Sequence, residues 1–319
     1  MKFTRRTALA ALAVAASTLA HAADPTQITI IVPYPPGGLS DQLARLTGKV
    51  LAQNMAIPVI VENKPGANGV LGLQAIAHGK ADGSVIGMVP ASVMTVNPSL
   101  YKDMKVDTVK DVMPLTLAIT LPNVLVVNPS VPAKNMEELL AWLRQTGNKV
   151  SYGSMGTGSS AHLNGELLSR SERLEIQHIP YKGSGPAMQD LMAGNIQMAF
   201  ENLPIALPLV QAGKLRAIGV TSTAASAQAP DIPPIGKTIP GFEDNIWFGF
   251  IAPSGVPAPF AQRLHDELAK AVQSDEVAKV MREKGAAITT STQQEMRQLI
   301  ISDRDKWARL VKERNISVE

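Results

Sequence analysis

Ser154, Ser159 and His162 stand close together, in and just after the run Val150-Ser151-Tyr152-Gly153-Ser154-Met155-Gly156-Thr157-Gly158-Ser159-Ser160. A serine beside a histidine is the pair that a hydrolase uses as nucleophile and base. The chain has no G-x-S-x-G elbow, and no two carboxylates stand out as acid and base. His78, His162, His178 and His265 share no metal-ligand spacing, and there is no cysteine to supply a thiolate, so neither metal nor disulfide is expected. Gly156-Thr157-Gly158-Ser159-Ser160-Ala161 fits a G-x-G-x-x-A fingerprint, but the next strand ends in Pro180-Tyr181-Lys182, with no acid for a ribose hydroxyl. No nucleotide cofactor is expected. Binding is favoured over catalysis, and a serine hydrolase built on Ser154 or Ser159 with His162 is the enzymatic alternative.

The same segment reads better as an anion site. Ile28-Thr29-Ile30-Ile31-Val32-Pro33-Tyr34-Pro35-Pro36-Gly37-Gly38-Leu39-Ser40-Asp41 lies about 115 residues earlier and has the same layout of strand, glycine turn and serine at a helix start. A helix N-terminus presents unpaired N–H groups and a partial positive charge, which favours an anion. Two such ends facing each other would hold a small carboxylate. The candidate contacts in the first turn are Tyr34, Pro36, Gly37, Gly38 and Ser40. Asp41 is a neighbour that complements the helix dipole and pairs with Arg45 at i,i+4. Ser92 follows the strand 85–89 and serves as an N-cap or a ligand contact. Ser154, Gly156, Thr157, Gly158, Ser159 and His162 come from the second turn. Phe200, Glu201 and Asn202 close a fourth strand end, where Asn202 reads as a cap and Glu201, if it faces the cleft, would repel a carboxylate and attract a cationic group.

These turns need a scaffold that brings strand C-termini together. Strands are expected over 28–32, 59–61, 85–89, 115–119, 124–127, 150–152, 175–179, 197–200, 215–220 and 246–251. Helices are expected over 41–54, 69–78, 136–146, 161–171, 187–193, 203–212, 259–274, 275–284 and 293–314. This alternation predicts parallel sheets covered by helices, with ligands beyond the strand C-termini. Interior segments 118–127 and 241–250 read as crossovers between two lobes, with the last three helices returning to the first lobe.

Residues 1–22 read as an export signal, with basic Lys2, Arg5 and Arg6, an apolar stretch and the small-x-small site Ala20-His21-Ala22. Removing them takes Lys plus Arg from 30 to 27 against 27 acids, leaving a formally neutral chain. Such a chain gives no reason to expect nucleic acid as a partner. A hydrophobic share of 45% supports real cores, and no later run is long enough to span a membrane.

These residues, in order, resemble the receptors of tripartite tricarboxylate transporters, the Bug-type solute-binding proteins. The resemblance is carried by Ile30-Ile31-Val32-Pro33-Tyr34 with Gly37-Gly38, by Pro58-Val59-Ile60-Val61-Glu62-Asn63-Lys64-Pro65-Gly66-Ala67 and by Tyr152-Gly153-Ser154 with Gly156, Gly158 and Ser159. His178-Ile179-Pro180-Tyr181-Lys182-Gly183-Ser184-Gly185-Pro186-Ala187 and Trp247-Phe248-Gly249 with Ala252-Pro253 complete it. It implies an α/β fold of the periplasmic binding protein (Venus-flytrap) type. Lobe 1 would span 23–121 plus 246–319 and lobe 2 would span 122–245. The resemblance further implies a monomer in the periplasm that hands a carboxylate to membrane permease subunits. The carboxylate would be held by backbone groups and bridging waters at the Gly37-Gly38 turn. A sensory protein docking on a membrane kinase would share the fold. Pro35 and Pro36 stand where the family often has small residues, and Glu201 where it commonly has Asp, so a relative's ligand does not carry over.

Overall fold

The computed structural model describes residues 24–146 and 149–318. The expected export signal therefore lies outside the described residues.

The chain opens with β1 (Ile28–Val32), α1 (Leu39–Met55), β2 (Val59–Asn63), α2 (Val70–Ala77) and β3 (Val85–Pro90). Two short helices follow, α3 (Ala91–Thr95) and α4 (Asn97–Leu100), then the long strand β4 (Val112–Val127). Next come α5 (Met136–Thr146), β5 (Ser151–Ser154), α6 (Ser160–Glu172), β6 (Gln177–Pro180), α7 (Ser184–Ala193), β7 (Met198–Asn202), α8 (Leu203–Gln211) and β8 (Arg216–Val220). The chain ends with β9 (Asn245–Pro253), α9 (Ala258–Gln273), α10 (Asp275–Glu283), β10 (Ala287–Ile288) and α11 (Gln293–Glu313).

The strands join in the order β2-β1-β3-β9-β4-β7-β5-β6, and β8 and β10 also pair with β4. Within each half the pairs β1–β2, β1–β3, β5–β6 and β5–β7 are parallel, as the strand–helix alternation requires. β9 runs antiparallel to β3 and β4, which makes the sheet mixed.

β4 is the hub. Its residues up to Pro122 pair with β9, while those from Asn123 onward pair with β7, and 124–127 also pair with β8. Sequence pattern predicts two strands here, because Pro114 and Pro122 interrupt the apolar run. A proline lacks the N–H that a ladder needs. Here Pro114 sits at a bulge in the register and Pro122 at the point where the partner changes, so the strand runs through both.

Both faces of each half are covered. Leu43, Leu51, Leu264, Leu268 and Met281 from α1, α9 and α10 pack on Ile28, Ile30 and Phe250. The opposite face is filled by Leu73, Ile76, Met296 and Ile300 against Ile31, Val89 and Ile251. In the other half, Leu139, Leu140, Leu163 and Leu168 pack on Leu125, Tyr152 and Phe200. α7 and α8 cover the far face through Met188, Leu191 and Leu203. At about 25 cal/mol per Å² of apolar area removed from water, these layers supply most of the favourable free energy.

α11 belongs to both halves. It starts at a complete capping box, Thr292 with Glu295. Met296 and Ile300 then enter the core beside β3, and Trp307, Leu310 and Val311 enter the core beside β5. Of the last three helices expected in the first half, α9 and α10 pack there, and α11 does so only at its start.

Candidate ligand-binding site

A cavity of about 560 Å³ opens between the two halves. It is framed by four helix starts. α1 begins at Gly38, whose φ of −73° and ψ of 172° end the preceding turn, and no side chain caps the helix. Gly38, Leu39 and Ser40 line the cavity, so the uncapped first turn of a 17-residue helix faces it. A Cβ built on Gly38 meets nothing within 4 Å, because that direction is open space. Tyr34, Pro35 and Pro36 continue the wall.

The second start is that of α6. Gly156, Thr157, Gly158, Ser159 and Ser160 line the cavity opposite α1. This helix is capped from within: the Ser159 hydroxyl accepts from the His162 N–H at 3.3 Å and donates to the Gly156 carbonyl at 2.6 Å. Gly158 has φ +78°, a left-handed conformation that glycine enters without strain. Ser92, in the first turn of α3, and Asn202, at the start of α8, complete the predicted residues on the wall.

Six predicted residues do not line the cavity. Gly37 (φ +92°) donates its N–H to Asp41 Oδ2 at 3.0 Å. Asp41 is buried and also accepts from Asn63 Nδ2 at 3.0 Å and Arg45 Nε at 3.1 Å. Burial opposes its charge, but the bonds from Arg45, Gly37 and Asn63 prevail and hold its carboxyl below the usual range. Asp41 thus braces the turn structurally.

His162 is buried, and its Nδ1 accepts from the Gly158 N–H at 3.0 Å. Its ring stacks on His178 with centroids 3.8 Å apart. Ser154 is buried, with its Oγ 2.7 Å from His178 Nε2. The serine–histidine contact therefore uses His178, not His162, and sits off the cavity wall, so the arrangement expected of a hydrolase does not form.

Phe200 is a core residue stacked on Phe242 at 6.1 Å. Glu201 is 1% exposed and accepts from the Asn202 N–H at 2.7 Å, and burial pushes its carboxyl up. Its carboxyl meets Ser184 at the start of α7, and it does not line the cavity that its neighbour Asn202 lines, as alternation along β7 requires. Asn202 occupies the cap position of α8 but makes no side-chain cap bond, and its Oδ1 is buried without a partner.

Sequence reasoning missed Asn68, Asp244, Phe248 and Trp307 on the wall. Asn68 has φ +49° and is locked by two bonds with Asn97, at 3.1 and 2.8 Å. Its place among Pro65, Gly66 and Gly69 is a turn signal that marks it as a loop contact. Trp307 reads as one apolar position of an amphipathic helix, and nothing local distinguishes it. Among the described residues no lysine or arginine lines the cavity, and the ionisable wall residues are Tyr34 and Asp244. Burial pushes the Tyr34 hydroxyl up and the Asp244 carboxyl to about 6.

Residues 43–316 match the family described as the tripartite tricarboxylate transporter family receptor. Protein BugT of Bordetella pertussis is 32% identical over 307 residues, which cover 96% of this chain and 94% of BugT. Among solved structures, Rpa4515 of R. palustris with adipate is 30% identical with a TM-score of 0.78, covering 92% of this chain and 99% of that one. MatC from Rhodopseudomonas palustris with bound malate is 25% identical with a TM-score of 0.74, covering 90% and 99%. Among the described residues no helix is long and apolar enough to cross a membrane.

Proposed function

We propose, from the premise that the chain belongs to the tripartite tricarboxylate transporter receptor family, that it captures a small carboxylate and delivers it to the membrane permease subunits of such a transporter. Its fold is that of the periplasmic solute-binding proteins. The observation that carries the carboxylate reading is the uncapped start of α1 at Gly38, open to a cavity whose opposite wall is the 156–160 turn. Relatives of the same fold hold adipate and malate, which agrees with that chemistry.

In this reading residues 1–22 are removed on export, and the mature chain works in the periplasm as a monomer. The lobes are 23–121 plus 246–319 and 122–245. The change of β4 partners between Pro122 and Asn123 supports that boundary. A ligand touching both Gly38 and the 156–160 turn would favour the closed arrangement by binding it better than the open one. One helix end contributes roughly 0.3–2 kcal/mol toward an anion, so affinity must be shared among several contacts. The ligand leaves chemically unchanged.

The test is a thermal-shift and calorimetry screen of the mature chain against mono-, di- and tricarboxylates, aromatic acids and acidic amino acids. A ligand at one hundred times its dissociation constant stabilises the fold by about 2.7 kcal/mol. A hit recovered intact by mass spectrometry supports a receptor. A carboxylate that is consumed, or a panel with no hit from ligand-free protein, overturns the reading.

A further inference from the structure

Asn202 and Asp244 on the cavity wall, and Asn123 buried behind them, carry polar atoms without partners. Asn123 is fully buried on β4, and neither its amide nitrogen nor its carbonyl oxygen has a partner. Asn202 is its cross-strand partner on β7, and Asn202 Oδ1 is likewise unpartnered. Asp244, just before β9, is anchored through its backbone: its N–H donates to the Thr221 carbonyl at 2.9 Å and its carbonyl accepts from the Thr221 hydroxyl at 2.6 Å. That hydroxyl also accepts from the Asn123 N–H at 3.0 Å. Thr221 thereby fixes Asn123 and Asp244 at one junction. The Asp244 carboxylate is met by the side chain of buried Asn164 on α6, while its Oδ2 makes no hydrogen bond.

Buried polar atoms without partners are costly, on the order of 1–3 kcal/mol each, so a cluster of them on a ligand cavity needs an occupant that satisfies them. The unpartnered oxygens of Asn123, Asn164, Asn202 and Asp244 are acceptors, one of them belonging to an acid, and they outnumber the two unpartnered amide donors, Asn123 Nδ2 and Asn164 Nδ2. The charged groups around Asp244 are Glu243 on its own segment and Asp303 and Lys306 on α11. Two acids and one lysine leave the corner negative, and the Lys306 ammonium is already engaged with the Glu243 carbonyl and sits 4.4 Å from the Trp307 ring centroid. A second carboxylate on the ligand would be repelled here, whereas an ammonium would meet acceptors. Trp307 and Phe248 beside it offer aromatic faces that suit a cation.

We infer that Asp244 and Asn202, backed by Asn123, form a subsite for a cationic nitrogen, so that the ligand is a monocarboxylate carrying an ammonium group at its other end. The carboxylate lies at the Gly38 end and the ammonium at the junction end. This rests on the carboxylate reading of the α1 start.

Calorimetry at pH 7.5 on the mature chain tests it with matched pairs that differ in one terminal group: adipate against 5-aminopentanoate, glutarate against 4-aminobutanoate and succinate against 3-aminopropanoate. At least one amino acid should bind ten times or more tighter than its dicarboxylate partner. Asp244→Asn should cut that preference by a similar factor, and Asp244→Glu should restore part of it. Equal or tighter binding of the dicarboxylates, or an unchanged preference in Asp244→Asn, overturns the inference. So does failure of every matched pair while other carboxylates bind. Failure of every carboxylate in the wider screen would instead overturn the receptor reading beneath it.

Discussion

The backbone N–H of Gly158 donates to Nδ1 of His162 at 3.0 Å, so His162 holds the second glycine turn from behind the cavity wall. His162→Ala would strand a buried N–H and empty a stacked site. It should cost about 1–3 kcal/mol of stability in urea unfolding and weaken ligand several-fold by loosening the turn. A variant as stable as wild type would remove that role.

Gly38→Val should separate binding from folding. The Gly38 backbone is extended at φ −73° and its Cβ direction is open, so valine fits the ligand-free fold. We expect a stability change within about 1 kcal/mol and a loss of affinity of tenfold or more, because the side chain covers the α1 start. Unchanged affinity would move the carboxylate elsewhere.

Acid should destabilise the protein through His178. Burial, together with the neighbouring His162, pushes its pKa from 6.5 down to about 3. The unfolded chain takes up a proton below pH 6.5 that the folded chain refuses until about pH 3, so stability falls as pH drops across that window. Unfolding at pH 5.0 against pH 7.5 should show a loss of about 1–2 kcal/mol from this group. His178→Gln should flatten the profile, and an equal slope in the variant would contradict the assignment.

Asp244 acts in the opposite sense. Its carboxyl rises from 3.8 to about 6, chiefly by burial, with Lys306 offsetting part. Between those values the folded chain keeps a proton that the unfolded chain has lost, so this contribution falls as pH rises through the window. At pH 7.5 Asp244→Asn should therefore stabilise the ligand-free protein by about 1–2 kcal/mol, read by urea unfolding. No gain at pH 7.5 would mean that the charge is not strained.

Glu166 links α6 to the end of α11. It is buried, accepts from Tyr152 Oη at 2.8 Å and from Arg314 Nε at 2.5 Å. Arg314→Ala should cost about 1–3 kcal/mol by leaving that carboxylate without its cation, and Glu166→Gln in the same background should recover part. Additive effects of the two substitutions would show that the pair is uncoupled.

What the sequence determined is what neighbours along the chain decide. Strand β1 at 28–32 and helix α5 at 136–146 stand where periodicity puts them, and Gly37, Gly156 and Gly158 take backbone conformations that favour glycine. The capping box at Thr292 and Glu295 is likewise local. The tertiary structure decided everything that depends on residues far apart. It joined two expected strands into β4, because β9 and β7 pair with successive parts of it despite Pro122. It turned Glu201 into the interior and His162 behind the turn, since a strand or helix fixes side-chain spacing but only packing fixes which side meets a cavity. It brought Asp244 and Trp307 to the wall across more than a hundred residues from Gly38, a proximity that no short-range pattern encodes.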